Sequence, residues 1–530
     1  MITAIEIENF KGIGKRQRIE FAPLTLLFGG NSAGKSTIAH AIHYAREVLV
    51  NHNCDVHFVS STKDALDLGG FESVLHRQDK AETRQFSIQV EVNCNRKPNQ
   101  TDLFSNNGRR LSEVAGTGNE PLLGKPSIAG VRLTVRQEEE WKPPYLSELT
   151  FTVDGQELAK LKSNDQEGRV KYLASLASDH PLFDKRDHSQ SILTELMDKM
   201  GVKFGELDEG MEFAPYPIEG ERDIVPTQNM HVQIFGFEYG DNPSEEEIRL
   251  GFIAHEFSIF VRQLLLDVTQ EVTGVLDRFC HIGPLRDIPP RGLRQTALKH
   301  ASWFRGMAAY NHLLNESEVF TGNALDLETL LDAPYRVERK GIWTSDELSW
   351  KQKQNDQTCR SHLELQLIDL RNKTPVDFSA VGSGVSQVIP VLVAARDQSL
   401  PVVFIEQPEL HLHPRHQGNL ADVFRSGFAG MFSNYVPQPK QDSPDEYDGR
   451  CCIVETHSEH LLLRLMRRIR ESAKMKGGTR PLLSPSDVAV YYVENLEDGT
   501  VFQLMPMNDH GELVKAWPGG FFEEALEDMI

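Results

Sequence analysis

Gly29-Gly30-Asn31-Ser32-Ala33-Gly34-Lys35-Ser36 is the stretch whose reading decides the fold. It satisfies G-x-x-x-x-G-K-[ST], in which glycines let consecutive backbone N–H groups turn inward around a polyphosphate. Lys35 supplies a point charge to the terminal phosphates, and the Ser36 hydroxyl is the group that completes a Mg²⁺ shell. The flanks agree. Pro23-Leu24-Thr25-Leu26-Leu27-Phe28 is an apolar run suited to a buried parallel strand. Ser36-Thr37-Ile38-Ala39-His40-Ala41-Ile42 opens a helix whose N-terminus faces the phosphates. The ligand expected from strand, loop and helix in this order is a nucleoside triphosphate.

The rest of the composition sets limits. A chain of 530 residues exceeds one typical domain, and at about 150 residues each it holds roughly three or four structural units. The net charge is −21, from 56 basic and 77 acidic residues, so a global electrostatic footprint of nucleic-acid binding is excluded and any DNA contact is local. Cys54, Cys94, Cys280, Cys359, Cys451 and Cys452 form no C-x-x-C pair, which suits a reducing cytoplasm better than a disulfide framework or a zinc site. Met1-Ile2-Thr3-Ala4-Ile5-Glu6 lacks the basic-then-apolar plan of a signal peptide, and no apolar run is long enough to span a bilayer. The expectation is a soluble cytoplasmic protein with no membrane partner.

Ala4 to Asn9 alternates apolar and acidic residues before a turn at Lys11-Gly12-Ile13-Gly14. Arg84 to Val92, Gly130 to Val135 and Glu148 to Val153 carry β character between turn-rich stretches and predict an antiparallel layer. Asn93 to Ser127 has no sustained apolar period and reads as a long flexible excursion. From Ser244 to about Cys280 the spacing of Phe252, Phe257, Phe260, Leu264, Leu265, Val268, Val272 and Val275 predicts a helix. Arg286, Arg291, Arg294, Lys299 and Arg305 follow among prolines. A solvated linker is the preferred reading there, and a local surface for phosphate backbones is the alternative.

Far downstream, Pro401-Val402-Val403-Phe404-Ile405-Glu406 is an apolar strand ending in the kind of carboxylate that holds a Mg²⁺-bound water. Cys451-Cys452-Ile453-Val454-Glu455 is a second strand, running into Thr456-His457-Ser458. Between the loop and these strands lies Val381-Gly382-Ser383-Gly384-Val385-Ser386-Gln387, a Gly/Ser-rich turn opening a helix and a second anion-binding device. One chain does not need two such devices for one phosphate, so the economical reading gives this one to the nucleotide of a second subunit.

The order of phosphate loop, Gly/Ser signature, carboxylate strand and Thr-His resembles the ABC-type ATPase head, and within it the RecF, SMC and OLD group. Gly382 to Gln387, Glu-Gln-Pro-Glu-Leu-His-Leu-His-Pro (406 to 414), Glu-Thr-His-Ser-Glu-His (455 to 460) and the ending Trp517-Pro518-Gly519-Gly520-Phe521-Phe522 are similar to a bacterial set of AAA-type defence ATPases. That set includes PtuA of Septu systems and of certain retrons. The fold this implies is α/β: an ABC-ATPase-type P-loop head with an antiparallel β layer and a helical insertion. The division it suggests is a split head at 1–90 and 375–475, an antiparallel layer with loops at 91–240, a helical insertion at 241–374 and a C-terminal module at 476–530.

The resemblance also implies roles. Gly29, Asn31, Ser32, Ala33, Gly34, Lys35, Ser36 and Thr37 hold ATP, with Mg²⁺ on Ser36 and through a water on Glu406. Gly382, Ser383, Gly384, Ser386 and Gln387 complete the partner's site in a homodimer or higher even oligomer, and His457 is the switch histidine. Leu412-His413 falls where the dimer-contact loop has Leu-Asp, and Gln78 is the nearest glutamine-loop candidate. One position departs from the pattern. The residue after the Mg²⁺ carboxylate is Gln407 where such heads carry a catalytic glutamate, and an amide orients water without accepting its proton. Either hydrolysis is slow and ATP clamps a dimer, or Glu409 supplies the base.

The leading functional expectation is an ATP-gated regulator of an anti-phage defence system, controlling a separately encoded, PtuB-like HNH nuclease, with a retron's reverse transcriptase and non-coding DNA as further candidate partners. Val493-Glu494-Asn495 stands where OLD proteins begin a Toprim nuclease domain, but no glycine follows and no Asp-x-Asp comes later, so it reads as a strand end without a nuclease site. The alternative is a DNA-binding repair or maintenance ATPase without a nuclease partner. Arg464, Arg467, Arg468, Arg470, Lys474 and Lys476 would form its basic surface, and an ordinary amphipathic helix is the bland account of the same residues.

Overall fold

The computed structural model describes residues 1–63, 65–77, 84–94, 126–163, 171–177, 180–182, 224–227, 244–293, 301–315, 324–342, 362–429, 449–474 and 483–518. In chain order the strands are β1 (Ile2–Glu8), β2 (Gln17–Glu20), β3 (Leu24–Gly29), β4 (Gln85–Asn93), β5 (Ile128–Arg136), β6 (Tyr145–Val153), β7 (Gln156–Ser163) and β8 (Lys171–Leu176). They continue as β9 (Phe279–Ile282), β10 (Ala324–Asp326), β11 (Tyr335–Ile342), β12 (His362–Asp369), β13 (Thr374–Val376), β14 (Val402–Glu406), β15 (Cys451–Glu455), β16 (Val488–Leu496) and β17 (Gly499–Leu504). The chain divides into two compact units, one of Met1–Glu20, His40–His57 and Leu68–Asp277, the other of Phe21–Ala39, Phe58–Asp67 and Arg278–Ile530.

The first unit is built on an antiparallel sheet in the order β2-β1-β4-β5-β6-β7-β8. The three β segments read from the sequence fall on β4, β5 and β6. Phe86 on β4 packs edge-on against Phe10 and Tyr44, at ring distances of 5.2 and 4.9 Å. The helix Glu245–Leu276 buries Phe260, Leu264, Leu265, Val268, Val272 and Val275 of the apolar stripe its spacing predicted, whereas Phe252 is exposed. Most of the excursion expected from Asn93 to Ser127 lies outside the described residues, and so do Gln78, Arg294, Lys299, Cys359, Lys476 and the last residues from Gly519.

The second unit carries a six-stranded sheet in the order β17-β16-β3-β15-β14-β9. From β16 to β9 all neighbours are parallel, and β17 closes the edge as a hairpin with β16. Every residue of β3 is buried, as a strand covered on both faces requires. Registers bring the strand ends level: Glu406 pairs with Glu455, and Glu455 with Leu27. Helix Thr37–Asn51 follows β3 through the glycine loop. The carboxyl ends of adjacent parallel strands, where open α/β sheets bind ligands, therefore present the loop, Glu455 and Glu406 side by side.

Two stretches differ from the expected layout. Of 241–374, read as a helical insertion, Glu245–Leu276 is helix, but β9 joins the six-stranded sheet and β10 to β13 form a four-stranded antiparallel sheet of their own. The period-2 pattern of Leu363, Leu365 and Leu367 on β12 was the signal for this sheet. The chain after 476, set apart as a terminal module, supplies β16, which pairs directly with β3. Among the described residues no helix is long and apolar enough to cross a membrane.

Candidate functional site

The loop is shaped by the strands it packs on. Gly29 has φ +146°, and a Cβ there would stand 2.1 Å from the Val493 carbonyl oxygen on β16. Gly34, at φ +99°, would carry a Cβ 2.5 Å from Thr500 Oγ1 on β17, and that hydroxyl donates to the Ala33 carbonyl at 3.0 Å. Both glycines are thus required by the β16–β17 hairpin. Gly30, Asn31 and Ser32 are exposed, whereas Ala33, Lys35 and Thr37 are buried.

Lys35 is only 3 % exposed and its Nζ turns back onto the loop, donating to the Gly29 and Gly30 carbonyls at 3.0 and 2.9 Å. Its Nζ is also 3.4 Å from His457 Nε2 and 3.7 Å from Glu455 Oε1. Burial lowers the Lys35 pKa against the opposing pull of Glu455. Burial, then the Lys35 charge, lowers that of His457 and favours the neutral imidazole. The Ser36 hydroxyl donates to Glu455 Oε2 at 2.8 Å.

Two carboxylates, Glu406 and Glu455, end strands, and a third, Glu409, lies in the turn after β14. Glu455 has a raised pKa, first from burial and then from the nearby Glu406 charge, with Ser36 and Lys35 acting the other way. Glu406 Oε1 is engaged elsewhere, 2.8 Å from Nε2 of the buried His281 on β9. Glu409 accepts the His457 backbone N–H at 2.7 Å through Oε1, while its buried Oε2 has no hydrogen-bond partner among the described residues. Burial raises the Glu409 pKa, and the His457 amide only partly offsets this. Gln407 stands at φ +43°, in the left-handed region, and its N–H donates to the Glu455 carbonyl at 2.7 Å.

Arg286 corrects the linker reading at its own position. It is 3 % exposed, with Nη2 donating to the Glu406 carbonyl at 2.6 Å and Nη1 to that of Gln387 at 3.3 Å. Gln387 answers with its side chain: Oε1 accepts the Arg286 N–H at 3.0 Å, and Nε2 donates to the Arg286 carbonyl. Burial pushes the guanidinium down to about 10, with Glu409 and Glu406 opposing. Arg291 and Arg305, by contrast, are well exposed, as a solvated linker implies. Arg286 escaped the sequence reading because its burial depends on the pairing of β9 with β14.

The Gly/Ser signature opens the helix Ser383–Arg396 with no side-chain cap, and Gly382 and Ser383 are exposed. A Cβ on Gly382 would meet nothing within 4 Å, so the chain is open at this position, and the Val385 N–H closes back onto the Gly382 carbonyl at 3.0 Å. A Cβ on Gly384 would lie 2.4 Å from the His411 carbonyl oxygen and 3.4 Å from Leu412, which places the signature against the loop after Glu409 in the same chain. Ser386 is buried and its hydroxyl donates to the Ser383 carbonyl at 3.2 Å. His413 caps the helix Pro414–Phe424, accepting the Arg415 N–H at 3.3 Å. Lys35, Ser36, Glu455 and His457 are thus brought into direct contact, while Ser386 and Gln387 are used within their own chain.

The fold and the loop define an α/β P-loop protein of the nucleotide-binding class. Residues 4–49 match a family model described as an AAA domain, and residues 317–464 match one described as "AAA domain, putative AbiEii toxin, Type IV TA system". Residues 483–530 match a protein family of unknown function, DUF3696. No curated protein gives a match. Among solved structures, an SMC head bound to the C-terminal winged-helix domain of ScpA is similar at 10% identity and TM-score 0.36, over 95% of this chain and 98% of that one. The Smc head of Pyrococcus furiosus with an extended coiled coil, bound to the C-terminal domain of ScpA, gives 8% identity and TM-score 0.38, over 100% and 98% of the two chains. The SMC head of Thermotoga maritima gives 8% and 0.32, over 96% and 99%.

Proposed function

We propose that this chain is an ATP-dependent regulatory subunit of a bacterial anti-phage defence system, in which ATP and Mg²⁺ are held between two copies and control a separately encoded HNH nuclease. The observation that carries the nucleotide part is the loop itself, with Lys35 buried among Gly29, Gly30, Glu455 and His457. The donor set suits the cation: the Ser36 hydroxyl and strand-end carboxylates are hard oxygen ligands, and such sites rely on one or two carboxylates plus phosphate oxygens. When bound, Mg²⁺ supplies charge neutralisation at the β- and γ-phosphates. Around it, Lys35 binds phosphate, neutral His457 senses the terminal group, and Glu409 or Gln407 orients the attacking water.

The dimer is supported by the uncapped, exposed helix N-terminus at Gly382 and Ser383, which suits a second molecule's phosphate. The defence role draws on the resemblance at 406–414 and 455–460, and the description of the model matched at 317–464 names a toxin–antitoxin system. The DNA-repair alternative has less to rest on. Arg464 and Arg468 are paired with Asp422, and Arg467 with Glu471. In equilibrium titration, Lys35→Ala should cost about 2–3 kcal/mol of Mg·ATP binding, roughly a hundredfold in affinity. Unchanged ATP affinity in that variant would remove the nucleotide site. Expression beside its neighbouring reading frames should recover a bound HNH protein, and recovery of DNA alone would favour the repair reading.

A further inference from the structure

The sequence reading gave the Mg²⁺-bound water to Glu406, which ends β14, with β15 lying between it and the loop strand β3. The geometry points instead to Glu455, on the strand next to the loop, as the carboxylate of the nucleotide-bound divalent cation. This rests on the nucleotide reading and deepens it.

The Ser36 hydroxyl is the loop's metal ligand by its position in the motif. Its proton is donated to Glu455 Oε2 at 2.8 Å. A hydroxyl whose proton is held by a carboxylate keeps its lone pairs for another partner, so Glu455 orients Ser36 as a cation ligand. Glu455 Oε1 lies 3.7 Å from Lys35 Nζ, at the spacing of a loose ion pair, and is the oxygen left to hold a metal-bound water. Glu406, by contrast, has Oε1 on His281 at 2.8 Å. Its backbone carbonyl is taken by Arg286. Glu406 is therefore a positioning residue, tied to β9 on one side and to the signature helix through Arg286 and Gln387 on the other.

Charge argues the same way. Glu455 is 8 % exposed and packs near both Glu406 and Glu409, while the lysine beside it is the group that must also face the phosphates. Adding a polyphosphate to that set without a cation would set like charges against one another at low dielectric. A divalent cation next to Glu455 removes the conflict, and a neutral residue at 455 would relieve it without a cation.

The test uses the full chain with a non-hydrolysable ATP analogue and Mn²⁺ as the spectroscopic probe. Analogue affinity is measured in EDTA, and Mn²⁺ affinity by electron paramagnetic resonance at saturating analogue. Glu455→Gln should weaken Mn²⁺ binding about tenfold to a hundredfold, while binding the analogue in EDTA at least as tightly as the wild type. Glu406→Gln should leave the Mn²⁺ midpoint much closer to the wild type. Analogue binding in EDTA doubles as the check on folding; if Glu455→Gln fails it, Glu455→Asp replaces it, with the same loss of Mn²⁺ affinity expected from the shorter side chain. Analogue bound by every variant, with the Mn²⁺ midpoint moved by Glu406→Gln and not by substitution at 455, overturns the assignment alone. A wild-type chain that binds no analogue overturns it together with the nucleotide reading.

Discussion

Glu409 and Gln407 divide the question of turnover between them. A water-activating base must be deprotonated, and burial raises the Glu409 pKa above the ordinary glutamate value. The acid limb of the kcat profile should therefore lie at higher pH than a free carboxylate would give, and Glu409→Gln should abolish that limb and cut turnover about a hundredfold. Steady-state ATPase assays across pH check this, and full turnover by Glu409→Gln would exclude it as the base. The stability linkage has a definite sign as well. A folded-state pKa above the unfolded one means the native state binds the proton more tightly, so Glu409's contribution is present below the unfolded value and is lost as pH rises through the folded one. Gln407→Glu, which restores a carboxylate after Glu406, should raise turnover. Of these residues, Lys35 and Ser36 are read from the loop motif and Glu406 and His457 from their places at strand ends, whereas the roles proposed for Gln407 and Glu409 come from the family resemblance alone. The contact between Ser36 and Glu455 was not legible, because it depends on β15 lying between β3 and β14.

The helices Pro414–Phe424 and Glu459–Ala473 show what a neighbouring element adds to a reading made on one helix. The second carries the arginine run for which an ordinary amphipathic helix is the preferred account and a DNA surface the alternative, and the first supplies an acidic partner. Asp422 receives Arg468 Nε and Nη2 at 2.6 and 2.8 Å and Arg464 Nε at 3.0 Å. Burial pushes the Asp422 carboxyl up, but the two guanidiniums outweigh it and hold it below its usual value. The stability this gives is present above the unfolded pKa and lost as pH falls through the folded one. Arg468→Ala should cost roughly 1–3 kcal/mol at neutral pH, and the difference should shrink in acid; paired urea titrations at the two pH values measure it. The β16–β17 hairpin teaches the converse lesson. Its sequence read as a bare strand end, yet Val493 and Thr500 shape the loop glycines, a long-range fit that no local period encodes.

For the molecule as a whole, the proposal requires two copies. One chain supplies the loop with Lys35 and Ser36, and the exposed turn at Gly382 and Ser383 is left for the other chain's nucleotide. A net charge of −21 makes approach of two copies unfavourable at long range, so association should need a bound ligand and strengthen with salt. Within the second unit, a continuous set of hydrogen bonds runs from Gln387 through Arg286 to the Glu406 carbonyl, and from the Gln407 N–H through Glu455 to Ser36. In the proposed dimer, that set would link the signature turn to Ser36 on the loop. The most direct measurement is sedimentation velocity of the wild type and Ser383→Arg, with and without Mg²⁺ and a non-hydrolysable ATP analogue. The wild type should pass from one copy to two on adding the analogue, and Ser383→Arg should bind the analogue with unchanged affinity yet stay single. Analogue binding that leaves the wild-type mass unchanged, or a dimer indifferent to Ser383→Arg, would contradict the shared site.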